Sequence, residues 1–140
     1  MPRPCSRRER ARLGLVLLLT PAVLSACGPA EVAADACPGS VNWTYADSVE
    51  GQQATVRGPV AGVSYRPDVA GEPTFINLGT DYPDPSRFTV IVWGADRGAF
   101  STAPEDAYDG ESLCVTGDVA EYEGRPQLEI SNPEQVHVVG

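Results

Sequence analysis

Two periodicities divide the chain. Before Gln52, the apolar residues Trp43, Ala46 and Val49 recur at helical spacing, with Ser40 or Asn42 placed to cap the start and Gly51 to end it. That spacing predicts one short helix between Ser40 and Gly51. From Gln52 onward the pattern changes to short apolar or alternating runs divided by Gly, Pro and Asp, which predicts strands. The runs are Ala54 to Tyr65, Thr74 to Leu78, Phe88 to Trp93, Ser112 to Tyr122 and Gln127 to Ser131, with Val136 to Val139 as a candidate terminal extension. Between the third and fourth, Gly94 to Gly110 has room for a helical segment around Ala95 to Ala107, interrupted by Pro104.

Five strands with a helical segment between the third and fourth is the chain order of the OB-fold, a small, partly open Greek-key barrel. The expected class is therefore all-β: a five-stranded OB-fold-like barrel with a short N-terminal helix. Val56-Arg57-Gly58-Pro59-Val60 and Val115-Thr116-Gly117-Asp118-Val119 share the pattern Val-x-Gly-x-Val, which places a glycine inside each of the two longest strands. Small barrels use such glycines where strands bend and backbones approach. Pro59 lacks a ladder donor, so it must meet a bulge or an unpaired edge.

The N-terminal segment has a different pattern. Arg3, Arg7, Arg8, Arg10 and Arg12 precede the apolar run Leu13 to Leu19, which breaks at Thr20-Pro21. This is a charged and then apolar export signal, shorter than the roughly 20 residues that cross a bilayer. Leu24-Ser25-Ala26-Cys27 resembles the bacterial lipobox. The resemblance implies that Cys27 is lipidated and becomes the mature N-terminus, leaving the chain anchored in the cell membrane on its extracytoplasmic face. Two acyl chains give stable attachment where one does not. The alternative is an ordinary secretory signal. The expected divisions are a signal peptide at 1–26, an anchor and spacer at 27–39, and the folded domain at 40–140.

Removal of the signal changes the charge picture. From Cys27 on there are 5 Arg against 18 Asp and Glu, a formal charge of −13, and the chain contains no lysine. So acidic a domain repels phosphate backbones at long range unless its few arginines cluster. Of four cysteines, Cys5 lies in the signal and Cys27 in the lipobox, which leaves Cys37 and Cys114 as the natural disulfide pair outside the cytoplasm.

Several stretches together resemble extracytoplasmic OB-fold modules, found as lone lipoproteins and beside secreted nuclease domains. They are Pro73-Thr74-Phe75-Ile76-Asn77-Leu78-Gly79, Tyr82-Pro83, Phe88 to Trp93, Cys114-Val115-Thr116-Gly117 and Tyr122-Glu123-Gly124-Arg125-Pro126-Gln127. The resemblance spans roughly Trp43 to Val136 and implies binding. OB-folds bind across strands two and three, between the loops joining strands one to two and four to five. Mapped here, the candidates are Tyr65 and Arg66 in the first loop, Phe75 and Asn77 on strand two, and Tyr122 and Arg125 in the last loop. Aromatic faces beside arginines suit a single strand of nucleic acid. The same residues also read as structure: Phe75 in the core, Asn77 bonding a turn, and Tyr122 to Pro126 as a hairpin.

No phosphate loop, Cys-x-x-Cys pair, calcium-loop spacing or cofactor fingerprint occurs, and the single histidine, His137, has no adjacent nucleophile. The sequence therefore predicts a non-enzyme without cofactor or metal. It is expected to be a membrane-anchored binding module whose ligand is nucleic acid, an oligosaccharide or a peptide. The second expectation is an envelope protein-interaction subunit that uses sheet edges and acidic loops.

Overall fold

The structure, a computed structural model, describes residues 36–140. The expected export signal, the expected lipidation site Cys27 and most of the expected spacer lie outside the described residues.

The longest strand organises the fold. Strand β2 (Gln53–Tyr65) is long enough to serve two partners. Its first half pairs antiparallel with β5 (Ser112–Tyr122), from Gln53 opposite Asp118 to Pro59 opposite Ser112. Its second half pairs with β3 (Thr74–Leu78), from Val60 opposite Leu78 to Tyr65 opposite Thr74. Pro59 lies at this handover, and the register shifts between Val60 and Gly62, so the missing N–H falls next to an irregularity. The neighbouring groups are used: Val60 N–H donates to the Glu111 carbonyl at 2.7 Å, and Gly79 N–H to the Pro59 carbonyl at 2.7 Å.

Strand β3 pairs antiparallel with β4 (Phe88–Val92), and β4 pairs in parallel with β6 (Arg125–Glu129). Strand β6 then pairs antiparallel with β5, which closes a ring in the order β2, β3, β4, β6, β5. A closed five-stranded ring with that Greek-key order is the OB-fold. Two short strands extend one side, β1 (Val41–Asn42) parallel to β2 and β7 (Val136–Val138) antiparallel to β5.

Strand alternation fills the barrel. Val56, Ile76, Leu78, Phe88, Val90, Val92, Leu113, Val115, Val119 and Leu128 point inward and are almost completely buried. The segment expected to form a short helix is a 3₁₀ helix, Trp43–Val49, whose N-cap Asn42 accepts from Thr44 N–H at 3.1 Å. Its Trp43 indole lies against Gly58 and Gly79, where a β-carbon would overlap the ring. The glycine inside β2 therefore makes room for an aromatic side chain. Gly117 in β5 faces Leu128 in the same way.

The connection from β4 to β5 holds a 3₁₀ turn (Arg97–Ala99) and one short helix, α1 (Pro104–Tyr108). The expectation that Pro104 interrupts the helix is corrected here. It occupies the first turn, where its missing N–H costs nothing, and so begins the helix. Phe100 and Tyr108 meet edge to face at 6.4 Å and join the core. The Arg97 guanidinium bonds both Glu105 carboxylate oxygens at 2.8 and 2.9 Å and also donates to the Thr74 hydroxyl. The N-terminal segment is tied to β5 by the Cys37–Cys114 disulfide, with Cα atoms 6.1 Å apart. Among the described residues, no helix is long and apolar enough to cross a membrane.

Candidate functional site

The outward residues of β3, β4 and β6 follow from the inward ones. With Ile76 and Leu78 in the core, Phe75 and Asn77 face out; with Val90 buried, Thr89 and Ile91 face out; with Leu128 buried, Gln127 and Glu129 do. Register aligns them in two rows, Asn77–Thr89–Gln127–Ala120 and Phe75–Ile91–Glu129. Asn77 is only 3% exposed, and its amide is engaged at both ends. Its Nδ2 donates to Asp81 Oδ1 at 2.8 Å, and Thr89 Oγ1 donates to its Oδ1 at 3.0 Å. Asn77 therefore builds the face and is not offered to a ligand. Phe75 is half-buried beside it.

Tyr65 and Arg66 separate at the end of β2. Tyr65 pairs opposite Thr74, and its ring lies 3.7 Å from the Arg97 guanidinium, so it belongs to the barrel-end clamp. Arg66 turns into solvent and grips Asp68 through Nε and Nη2 at 2.9 and 2.7 Å. This pairing holds the Asp68 carboxyl down at about 2 and raises the Arg66 guanidinium. Tyr122 and Arg125 stay together, opposite one another across the β5–β6 hairpin, with Arg125 paired to Glu123 at 3.1 Å. They sit at the Phe88 end of β4, whereas the Arg66 loop follows the strand end opposite Val92. The two loop pairs thus flank the face from opposite ends.

A third loop, residues 79–87, completes the rim. Asp81 anchors it: Oδ1 accepts from Asn77 and from Tyr82 N–H at 2.8 Å, and the carboxylate occupies the space left by Gly62. Asp84 Oδ1 accepts from Ser86 N–H at 2.9 Å and from its hydroxyl at 2.7 Å, bonds that pull the Asp84 carboxyl below its ordinary range. Arg87 donates to the Asp84 carbonyl at 2.6 Å, and its guanidinium lies 5.2 Å from the Tyr82 ring. Arg66 is also within electrostatic reach of Tyr82, which is 74% exposed. Arg87 stands two residues before Thr89, as Arg125 stands two before Gln127, so the parallel register sets these arginines side by side.

Each of the three loops carries one large apolar or aromatic residue and one arginine at its tip or base: Val69 with Arg66, Tyr82 with Arg87, and Tyr122 with Arg125. Among the described residues five large hydrophobic side chains are exposed, and three of them belong to this ring. Tyr82 and Arg87 were not among the sequence candidates. The only local signal was the Tyr82-Pro83 pair amid aspartates.

A groove of about 490 Å³ opens where β6 leaves β5, edged by Trp93 and Asp96 beyond β4, by Asp118 of β5 and by Gln127 and Glu129 of β6. Trp93 also rests on Gly71, where a β-carbon would touch the indole. Among the described residues, no group of three or more metal-ligating side chains converges on a metal-sized site.

No protein-family model matches this sequence, and no curated protein matches it. Among solved structures it is similar to asparaginyl-tRNA synthetase from Pyrococcus horikoshii, at 15% identity over 71% of this chain and 23% of that one, with a TM-score of 0.47. It is similar to OBody AM1L10 bound to hen egg-white lysozyme, at 12% identity over 66% of this chain and 84% of that one, with a TM-score of 0.46. The hypothetical protein ygiW from E. coli matches at 14% identity over 71% of this chain and 89% of that one, with a TM-score of 0.40. This chain spans only 20% and 23% of two synthetase chains it matches. The fold assignment rests on the strand order described above.

Proposed function

We propose that this chain is a lipid-anchored, extracytoplasmic binding module that holds a protein partner on the loop-ringed face of its OB barrel, by contact and not by catalysis. The observation that carries this reading is the ring itself: three loops, each presenting an apolar or aromatic residue beside an arginine. Tyr and Arg dominate the energetics of protein interfaces, because both supply large contact area with a polar end. Loop 79–87 is braced by Asp81 and Asp84, so Tyr82 is displayed at little further entropic cost.

The charge around the ring favours a protein over a polyanion. Only Arg87 and Arg125 stand side by side, with Arg66 at the opposite end of the face, so the arginines form no single basic patch of the kind that keeps nucleic acid attractive. Arg66 and Arg125 are paired with the Asp68 and Glu123 carboxylates, Arg87 donates to the Asp84 main-chain carbonyl, and Asp81 and Asp84 add two further carboxylates. The ring therefore has no net positive charge with which to release counterions from a phosphate backbone. Single-stranded nucleic acid is the second reading, because exposed Tyr82 and Tyr122 offer stacking faces.

Site-specific photocrosslinking in the native envelope separates the two. A crosslinker replacing Tyr82 is expected to capture one discrete protein, whereas the same group replacing Tyr45, exposed on the 3₁₀ helix, captures none. Single-stranded DNA binding at low salt that is lost in an Arg66→Ala/Arg125→Ala variant, without a protein adduct at position 82, would transfer the function to the second reading.

A further inference from the structure

One side of the barrel is the row β1, β2, β5 and β7, with β1 and β7 at its two edges. Strand β1 is two residues long, whereas β7 has three and its ladder runs on, since Val139 N–H donates to the Ser112 carbonyl at 2.8 Å. That bond fixes the phase of the ladder. Bonded and non-bonded pairs alternate along antiparallel strands, so His137 opposite Cys114 is a bonded pair, and Val136 and Val138 turn their N–H and C=O away from β5. The Val136 N–H is used by the Pro133 carbonyl. Val138 keeps both groups, and neither bonds another described residue.

The side chain of Val138 agrees with its backbone. With Val136 buried, a period of two places Val138 on the core side of the sheet, opposite the fully buried Leu113; it is nevertheless 49% exposed, because the row stops there. Edge strands are ordinarily guarded by lysine, proline, an inward charge or a bulge. Val136-His137-Val138-Val139-Gly140 contains no lysine, proline or acid, and its pairing with β5 has no register shift. The edge therefore presents a free donor, a free acceptor and an apolar side chain on one residue.

We propose that β7 pairs antiparallel with β7 of a second copy of this chain, about a two-fold axis beside Val138. Symmetry selects this occupant. A residue whose N–H and C=O both face an antiparallel neighbour can exchange both bonds with its own image, so Val138 donates to and accepts from Val138 of the partner subunit. The apolar row of Leu113 and Val138 then continues into its image, and the exposed valine is covered. The acidic charge of the domain opposes contact between copies, but residues 136–140 carry no acidic side chain, and salt screens the remaining repulsion. None of these residues belongs to the loop ring, so the proposal does not depend on that reading.

Sedimentation of the full-length protein in density-matched detergent micelles, together with oxidation of added-cysteine variants in the native envelope, tests it. The wild type is expected to form a dimer that dissociates on dilution and tightens as salt rises. Val138→Cys is expected to oxidise to a covalent dimer of this chain, because the Cα atoms of a directly opposed bonded pair stand about 5.5 Å apart. Val139→Cys is expected to stay monomeric, because it meets its own image only diagonally, at about 7–8 Å. Val138→Pro removes the outward N–H and leaves the β5 ladder intact, so an unchanged melt is expected with dimer affinity lowered at least about tenfold. The proposal is overturned if the wild type stays monomeric or its dimer weakens as salt rises, or if Val139→Cys crosslinks as fully as Val138→Cys. It is overturned equally if a folded Val138→Pro protein dimerises as tightly as the wild type, or if Val138→Cys is captured by a different protein in place of its own copy.

Discussion

Arg66 and Asp68 are both exposed, and their fork-to-fork contact contributes little to folding because water screens it. Its effect is on ionisation. Two charged hydrogen bonds hold the Asp68 carboxyl at about 2, below its ordinary 3.8. A carboxyl depressed in the folded state contributes above its unfolded value, and that contribution fades as pH falls from about 3.8 towards 2. In Arg66→Ala the Asp68 carboxyl carbon, followed by NMR, is expected to titrate near 3.8. A midpoint that stays near 2 would mean that backbone hydrogen bonding, and not the guanidinium, sets it. The same exposure leaves Arg66 available to a partner, since releasing Asp68 costs little. Asn77 shows the opposite case: buried and bonded at both ends, it serves only to hold Asp81 and Thr89 in place.

At the scale of elements, the β4–β5 connection is secured mainly by one side chain. Arg97 joins Glu105 at the start of α1, the Thr74 hydroxyl on β3 and the Tyr65 ring at the end of β2. Charge-assisted bidentate pairs that are partly shielded from water are stronger than surface pairs. Arg97→Ala is therefore expected to destabilise the domain by about 2 kcal/mol, read from chemical denaturation. Glu105 carries the matching pH signature. The guanidinium holds its carboxyl below the ordinary 4.5, so the clamp is complete above that pH and weakens as acid protonates Glu105. A wild type and an Arg97→Ala protein that lose stability in parallel below that range would disprove the linkage. The clamp also orients the strand end from which the Arg66 loop departs, so melts of Arg97→Ala should be accompanied by weaker partner capture at position 82.

At the scale of the molecule, the Cys37–Cys114 bond closes a loop of 77 residues in sequence separation. Constraining so long a loop in the unfolded chain contributes on the order of 4 kcal/mol. For a domain near this size, reduction is expected to lower the melting temperature by more than about ten degrees. Two thiols titratable in the unreduced, denatured protein would refute the bond. Attachment to the membrane is tested separately. Cys27→Ser is expected to abolish lipid labelling and to leave the precursor uncut, because acylation and the following cleavage both need the thiol; normal labelling of that variant would end the lipoprotein proposal.

How much of this was legible in the residues depends on range. Strand alternation is local: a period of two puts Phe75 and Ile76 on opposite faces, while burial in the closed barrel decides that Ile76 is the inward one. The starts and ends of most strands follow from the same pattern and the intervening Gly, Pro and Asp. The hairpin at Tyr122 to Arg125 likewise needs only neighbours, and the cysteine pairing only compartment and elimination. What required the folded chain were juxtapositions between distant segments. The parallel pairing of β4 with β6 places Arg87 beside Arg125, and the curl of residues 79–87 onto Gly62 displays Tyr82. Closure of the barrel assigns Tyr65 to the Arg97 clamp, and the parting of β5 from β6 brings Trp93, Asp118 and Glu129 to one groove. None of these has a periodic signature. Each depends on register and closure, set by how a whole set of buried side chains fits one interior.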